Sequence, residues 1–190
     1  MLHQNEVETK YSIREGTSGD TADILEIHHQ AFNGRTDVVD LTRDLLVDPS
    51  TSPMLSLLAI HDNKPAGHIL FSNASIAGFP DNPLLHILAP LAIKPEYQRK
   101  QIGGLLIKEG LARLRAMGSK AVFVLGHPSY YPKSGFIPDA GKLGFPAPYP
   151  IPAKDADAWM VQFLVEDHSS IPRGKVICAK ALDEPQHWRE

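Results

Sequence analysis

LLHILAPLAIKPEYQRKQIGGLLI, residues 84–107, is the stretch whose reading decides the fold. Its first part, Leu84 to Ile93, is nearly all apolar and is stopped by Pro95, which reads as a buried strand. Gly103 and Gly104 then lead into Leu105, Leu106, Ile107, Leu111 and Leu114, whose spacing follows the helical period. The first amides of a helix have no partner within it, and the macrodipole adds positive potential, so a pyrophosphate fits on Arg99 to Gly104. Glycine at 103 lets backbone approach a ligand closely. Taken alone, the turn also fits an ordinary strand-to-helix connection that binds nothing. The chain contains neither GxGxxG nor GxxxxGK[ST], so a Rossmann dinucleotide site and a P-loop both lack support.

A second informative stretch follows. Ala121 to Leu125, AVFVL, forms another short apolar strand and runs into Gly126-His127-Pro128-Ser129-Tyr130-Tyr131-Pro132-Lys133-Ser134-Gly135-Phe136. Together the two stretches resemble the GNAT superfamily of acyl-CoA-dependent N-acyltransferases. The first is similar to that family's strand followed by a Gln/Arg-x-x-Gly-x-Gly/Ala turn, with Gln98 and Gly103 in register. The second is similar to its Tyr-x-x-x-Gly-Phe ending, with Tyr131, Gly135 and Phe136 in register. The Gly-His-Pro-x-Tyr-Tyr form resembles one branch of small bacterial predicted acetyltransferases, and the resemblance runs from Ser12 to about Lys180.

The resemblance implies a single 1–190 acetyltransferase domain with short polar termini. Its fold would be α/β, a mixed and mostly antiparallel sheet flanked by helices and open between the fourth and fifth strands. It also implies acetyl-CoA as cosubstrate and direct attack of an amine on the thioester. Backbone groups of Leu91, Ala92 and Ile93 would bond the pantetheine arm, and Gln98, Arg99, Lys100, Gln101, Ile102, Gly103 and Gly104 would hold the phosphates. Pro90 has no amide, so Leu91 is the nearest group for polarising the acetyl carbonyl. Three positions depart from the family pattern. Gln101 replaces the central glycine of the turn, which predicts an ordinary backbone conformation and a crowded ligand. Val124 stands where relatives often carry Asn. Ala89 stands where several carry a Glu or His base.

Each chemical role has a rival. Tyr131 can deliver a proton to the departing thiolate, since a phenol titrates near ~10; alternatively it packs at a helix end. An acceptor ammonium must lose a proton before it attacks. His127, ending the fifth strand and with an unperturbed pKa near ~6.5, suits that task or simply caps the Gly-His-Pro corner. His86 alternates onto the face opposite Ala89 unless a bulge reverses the parity. His28 and His29 read as surface or packing residues of the first helix. Arg99 and Lys100 either neutralise phosphates or are solvated charges. No HExxH or Cys/His spacing suggests a metal.

Composition agrees with an enzyme of this kind. The 190 residues, 43% hydrophobic, suffice for one domain with a real core. A net charge of -3 and the lack of a basic run speak against nucleic acid. A polar N-terminus and no apolar run of spanning length predict a cytoplasmic protein that does not enter a membrane. Cys178, in the apolar run Val176 to Ala179, reads as a packing residue. Further expectations are a strand at Ser12 to Gly16, a helix from Asp20 closed by Gly34, and a shorter helix at Val38 to Val47. Met54 to His61 and Ala66 to Ile76 read as a hairpin, and Ala158 to Glu166 and Lys175 to Leu182 as strands. The C-terminal strands offer an edge for a homodimer. The proline-rich loop Gly141 to Pro152 is either a surface connection or, through Phe145 and Tyr149, a wall of the acceptor pocket. The acceptor itself, a small molecule or a peptide amine, is not specified by any motif. A CoA-binding sensor or interaction module without catalysis is the alternative that Gln101 and Ala89 favour.

Overall fold

The computed structural model describes residues 10–81 and 83–189; the polar N-terminal residues 1–9 and Glu190 lie outside the described residues. In chain order the elements are β1 (Ser12–Glu15), α1 (Thr21–Ala31), α2 (Thr36–Val47), β2 (Leu55–His61), β3 (Lys64–Ile76) and β4 (Leu85–Ile93). They continue with α3 (Ile102–Ala116), β5 (Ala121–Leu125), β6 (Trp159–Phe163) and β7 (Val176–Ile177). The sheet order is β1-β2-β3-β4-β5-β6, with β7 on the end of β3. Every pairing is antiparallel except β4 with β5, which is parallel. The mixed, mostly antiparallel sheet flanked by helices is the expected architecture. No described helix is long and apolar enough to cross a membrane.

Two layers of helix cover the sheet because successive strand residues face opposite ways. Leu57, Ile69, Phe71, Val122 and Val124 pack with Ile102, Leu106 and Ile107 of α3, while Leu58 and Ala92 pack with Ile24 and Ile27 of α1. The approach of α3 is close at Gly110, where an added Cβ would stand 2.3 Å from the Phe71 ring. The entry to α1 is fixed by Asp20, whose carboxylate takes two bonds from the Arg14 guanidinium at 2.6 and 2.9 Å and one from the Thr17 amide. Those donors hold its pKa well below the usual carboxylate range. Beneath α1, His28 Nε2 and His68 Nδ1 share a 2.9 Å hydrogen bond, and His68 Nε2 reaches Ser56 Oγ at 2.9 Å. His28 is therefore a packing residue, as expected for one of its two readings. Burial pushes its pKa down to about 4 and that of His68 well below the ordinary value.

The feature that positions the site is where β4 and β5 part. They pair only at Leu85–Ala121, His86–Val122 and Ile87–Phe123. On its other side β4 shifts register against β3 between Ile69 and Phe71, so that Ala89 and Pro90 together oppose Leu70. This bulge bends the strand. Beyond it, the edge of β4 facing β5 has no strand to pair with.

Several segments differ from the sequence reading. The β2–β3 hairpin turns on Asp62 and Asn63 alone, both left-handed at φ 47° and 61°, so Lys64 and Pro65 already belong to β3. The expected strand Lys175 to Leu182 shrinks to two residues paired with Ser75 and Ile76. The chain then leaves the ladder because the Lys180 amide donates to Ser50 Oγ at 2.8 Å and the Ala181 amide to an Asp48 carboxylate oxygen at 2.9 Å. The expected strand Ala158 to Glu166 is likewise shorter. Its outer edge is occupied by the chain itself, since Ile137 and Val161 exchange both backbone bonds. Cys178 is half-buried, and burial pushes its thiol up to about 12, in keeping with a packing residue.

Candidate active site

The unpaired edge of β4 presents specific backbone groups. The Lys94 amide donates to Ala66 of β3 at 3.0 Å. Because strand residues alternate in the side to which their backbone groups point, Ala92 also turns to β3, where it opposes His68. Leu91 and Ile93 face the gap. Of the three residues expected to bond a pantetheine arm, Leu91 and Ile93 are thus placed to do so, and Ala92 instead holds the sheet together. The Ile93 carbonyl accepts from Gln98 Nε2 at 3.0 Å, which ties the turn to the strand.

The turn before α3 corrects one expectation. Gln101 does not adopt an ordinary conformation: it is left-handed, with φ 64° and ψ 7°, and Arg99 is left-handed at φ 59°. A non-glycine residue tolerates this region at a cost of about 1–2 kcal/mol, so the side chain does not force the turn into an ordinary conformation. The amides of Ile102, Gly103 and Gly104 start the helix and point along its axis toward the gap. Lys100 Nζ is folded onto its own turn, donating to the Glu96 carbonyl at 2.7 Å. The backbone, with Arg99 exposed beside it, dominates the anion-attracting end.

Gly103 is where three elements meet. A Cβ there would stand 2.2 Å from the Tyr130 hydroxyl and 3.8 Å from Leu91 Cδ2, whereas a Cβ on Gly104 would meet nothing within 4 Å. Tyr130 therefore reaches the start of α3. Tyr131 turns its ring over Gly126, whose added Cβ would lie 2.4 Å from it, and meets Phe136 edge-on at 5.7 Å. It packs against the α3-side core next to the gap. The His127 carbonyl accepts from the Tyr130 amide at 3.0 Å and the Tyr131 amide at 3.5 Å, while its imidazole is exposed and lines neither cavity described below. That is the geometry of a corner residue. His86 is fully buried, accepting at Nδ1 from Ser119 Oγ and donating from Nε2 to the Pro53 carbonyl, both at 2.9 Å. The bulge lies beyond Leu88 and leaves the parity of His86 and Ala89 as expected.

A cavity lies on each face of the sheet at the gap. On the α3 face, about 630 Å³ is lined by Gln101, Gly104, Lys108, Arg115, Tyr130 and Lys133 among others. Lys108, Arg115 and Lys133, with the start of α3, give this groove a positive potential that favours an anion. On the α2 face, a half-open cavity of about 190 Å³ is lined by Asp37, Val38 and Leu41 of α2, Leu88 and Ala89 of β4, Leu125 of β5, and Gln186, His187 and Arg189 near the C-terminus. A cationic groove thus lies on the α3 face and a small pocket beside the β4–β5 gap on the α2 face.

Residues 21–136 match the model of the acetyltransferase (GNAT) family. The chain belongs to the GNAT family of acetyltransferases. The uncharacterized N-acetyltransferase YjhQ of Escherichia coli (strain K12) is 49% identical over 160 residues, 84% of this chain and 87% of its own. The crystal structure of the GNAT family N-acetyltransferase YhbS from Escherichia coli in complex with CoA aligns at a TM-score of 0.81 and 25% identity, over 92% of this chain and 93% of that one. A GNAT family acetyltransferase from Brucella melitensis in complex with acetyl-CoA aligns at 0.70 and 28% identity, over 91% and 98%.

Within this GNAT framework, the departures from the family pattern acquire structural explanations. Val124 is 1% exposed and serves the α3-side core. Ala89 lines the α2-side cavity and brings no ionisable group to it. The sequence reading overlooked Lys108, Arg115 and Lys133, although Gly104, Lys108, Leu111 and Arg115 recur at helical spacing and mark one stripe of α3. It also overlooked the C-terminal residues 186–189, for which no local signal exists. The proline-rich loop lines neither cavity at the gap. Its Phe145 is fully buried against Phe123 and accepts at its carbonyl from Trp159 Nε1 at 2.8 Å, and Tyr149 donates to the Asp183 carbonyl at 3.1 Å. Of its two readings the structure fits the connection, and the C-terminal segment, rather than this loop, lines the cavity beside Ala89.

Proposed function

We propose that the chain transfers the acetyl group of acetyl-CoA to a primary amine of a small molecule by direct attack. The observation that carries this reading is the β4–β5 gap, with Leu91 and Ile93 turned into it, the α3 amides at one end and a separate pocket on each face. The phosphates rest on residues 101–104 and the cationic groove, and the pantetheine arm takes the place of a missing strand. The Leu91 amide then donates to the acetyl carbonyl oxygen, stabilising the charge that develops as nitrogen attacks carbon. As the C–S bond breaks, its electron pair leaves on sulfur, and Tyr131 supplies the proton. The small volume of the α2-side cavity, about 190 Å³, supports a small acceptor. The catalytically silent alternative loses its main support with Gln101, because the turn keeps its left-handed shape.

The deciding experiment is calorimetric titration with acetyl-CoA and CoA, followed by thiol release over a panel of primary amines, for the wild type and Tyr131→Phe. Binding, with turnover that falls about a hundredfold in the variant at unchanged acetyl-CoA affinity, supports the reading. Absence of binding would sink it.

A further inference from the structure

The amine acceptor reaches neutral pH as an ammonium ion and needs a base, yet the β4 position facing the acceptor cavity is Ala89. The lining of that cavity narrows the choice. Arg35 and Arg189 stay charged and cannot accept a proton. Asp37 is held by two bonds from Arg35, at 3.1 and 2.5 Å, which lower its pKa and make it a poor base. Gln186 does not titrate, and the rest of the lining is apolar, from Val38, Leu41, Ile87, Leu88, Ala89, Leu125, Leu182 and Trp188. His187 is the remaining group. We propose that His187 is the base that takes the proton from the acceptor's ammonium group, and that the acceptor is a small primary amine held in the cavity between α2, β4, β5 and the C-terminal segment. The proposal rests on the acetyltransferase reading above.

His187 is held in place by its neighbour. Trp188 is 3% exposed, meets Trp159 edge-on at 5.5 Å and donates from Nε1 to the Leu182 carbonyl at 2.9 Å. Anchoring the chain at 188 leaves the preceding side chain beside the cavity. Partial burial lowers the His187 pKa, an effect opposed by the negative charges of Glu184 on its own segment and of Asp37 and Asp44 on α2. Arg35 and Arg189 line the same cavity and add positive charge. With its pKa below the ordinary value of ~6.5, the imidazole is neutral at pH 7 and free to accept. The balance of the step is simple. The ammonium N–H bond breaks, its proton passes to the imidazole, and the freed lone pair forms the N–C bond to the acetyl carbon. The C–S electron pair leaves with CoA and the sulfur takes its proton from Tyr131; the second proton of the attacking nitrogen, released as the amide forms, restores the phenol, and the imidazolium returns its proton to solvent.

The test compares His187→Gln with wild type on two kinds of nucleophile, reading thiol release from acetyl-CoA. Primary alkylamines are charged at neutral pH and require the base, whereas hydroxylamine is uncharged and does not. The expected result is a loss of about a hundredfold or more with the alkylamines, with the hydroxylamine rate and acetyl-CoA affinity within about threefold of wild type. Every rate is taken above the spontaneous reaction of hydroxylamine with acetyl-CoA, and the retained acetyl-CoA affinity establishes that the variant is folded. Equal losses with both nucleophiles, or no loss with the alkylamines, would overturn the assignment. A second variant, Asp44→Asn, lies outside the cavity and removes one charge that raises the His187 pKa. It should move the acidic limb of the alkylamine rate profile to lower pH, and an unmoved limb counts against His187. If the wild type binds acetyl-CoA and releases thiol to no nucleophile, the transferase reading fails and the base role with it. Turnover by wild type with an unaffected variant removes the base role alone.

Discussion

On the α3 face, the groups turned toward the gap are mainly backbone: the amides at residues 102–104, the left-handed turn before them and the free edge at Leu91 and Ile93. On the α2 face they are side chains brought together from α2, β4, β5 and the C-terminal segment. A site made of backbone is set by a few consecutive residues and tolerates substitution, as Gln101 demonstrates by keeping the φ of a glycine. A site made of side chains depends on tertiary anchoring, here the burial of Trp188, and its residues can be exchanged without disturbing the sheet.

The contrast is broken most forcefully at Trp188. Trp188→Ala should cost about 3–5 kcal/mol of unfolding free energy, measured by denaturant titration. In the folded fraction, the KM for amine should rise while acetyl-CoA affinity holds. If both faces fail together, the two are one cooperative unit. On the other face, Gly103→Asp places a side chain where the Tyr130 hydroxyl lies and a negative charge at the helix start. Acetyl-CoA binding should weaken by at least about a hundredfold, on the order of 2.7 kcal/mol, by calorimetry. Normal affinity there would remove the cradle.

Acid offers a way to loosen both faces through the sheet. His28 and His86 are buried and neutral, with pKa values pushed down to about 4. The unfolded chain, titrating near ~6.5, binds protons that the folded chain refuses, so stability is complete above about pH 6.5 and declines as pH falls toward 4. The expected slope is on the order of 1.4 kcal/mol per pH unit for each histidine. His28→Phe or His86→Phe should flatten it in pH-dependent unfolding, and an unchanged slope would assign acid lability elsewhere. The smallest effect is expected at Arg99, which is exposed. Arg99→Ala should weaken acetyl-CoA by about two- to threefold and lessen the salt dependence of binding. A loss comparable to that of Gly103→Asp would mean that side chains, rather than amides, hold the phosphates.

The same contrast explains what could be read from the sequence. The strands, α1, α3 and the glycine turn announced themselves through local periodicity and punctuation, and the resemblance of two short stretches located the gap. The conformation of Gln101 was misread because a side chain biases but does not forbid the left-handed region. The run Lys175 to Leu182 was read as a strand because apolar composition cannot reveal that Asp48 and Ser50, far away in the chain, capture its amides. Phe145 and Tyr149 drew attention as aromatics in a loop, yet hydrophobic burial took one into the core. His187 carried no signal, since its role depends on which cavity the anchored C-terminal segment borders.

The short seam between β4 and β5 has a mechanical consequence. Among the described residues, the ladder between β4 and β5 has three residue pairs, flanked by the Lys120 amide donating to the Leu84 carbonyl at 2.8 Å. A ligand that occupies the gap becomes a rung shared by both strands, so the stiffness of the whole sheet varies with occupancy. The amide hydrogens of Leu91 and of the β5 end would then exchange with solvent more slowly in the loaded protein, making this seam a gauge of cofactor binding that needs no turnover.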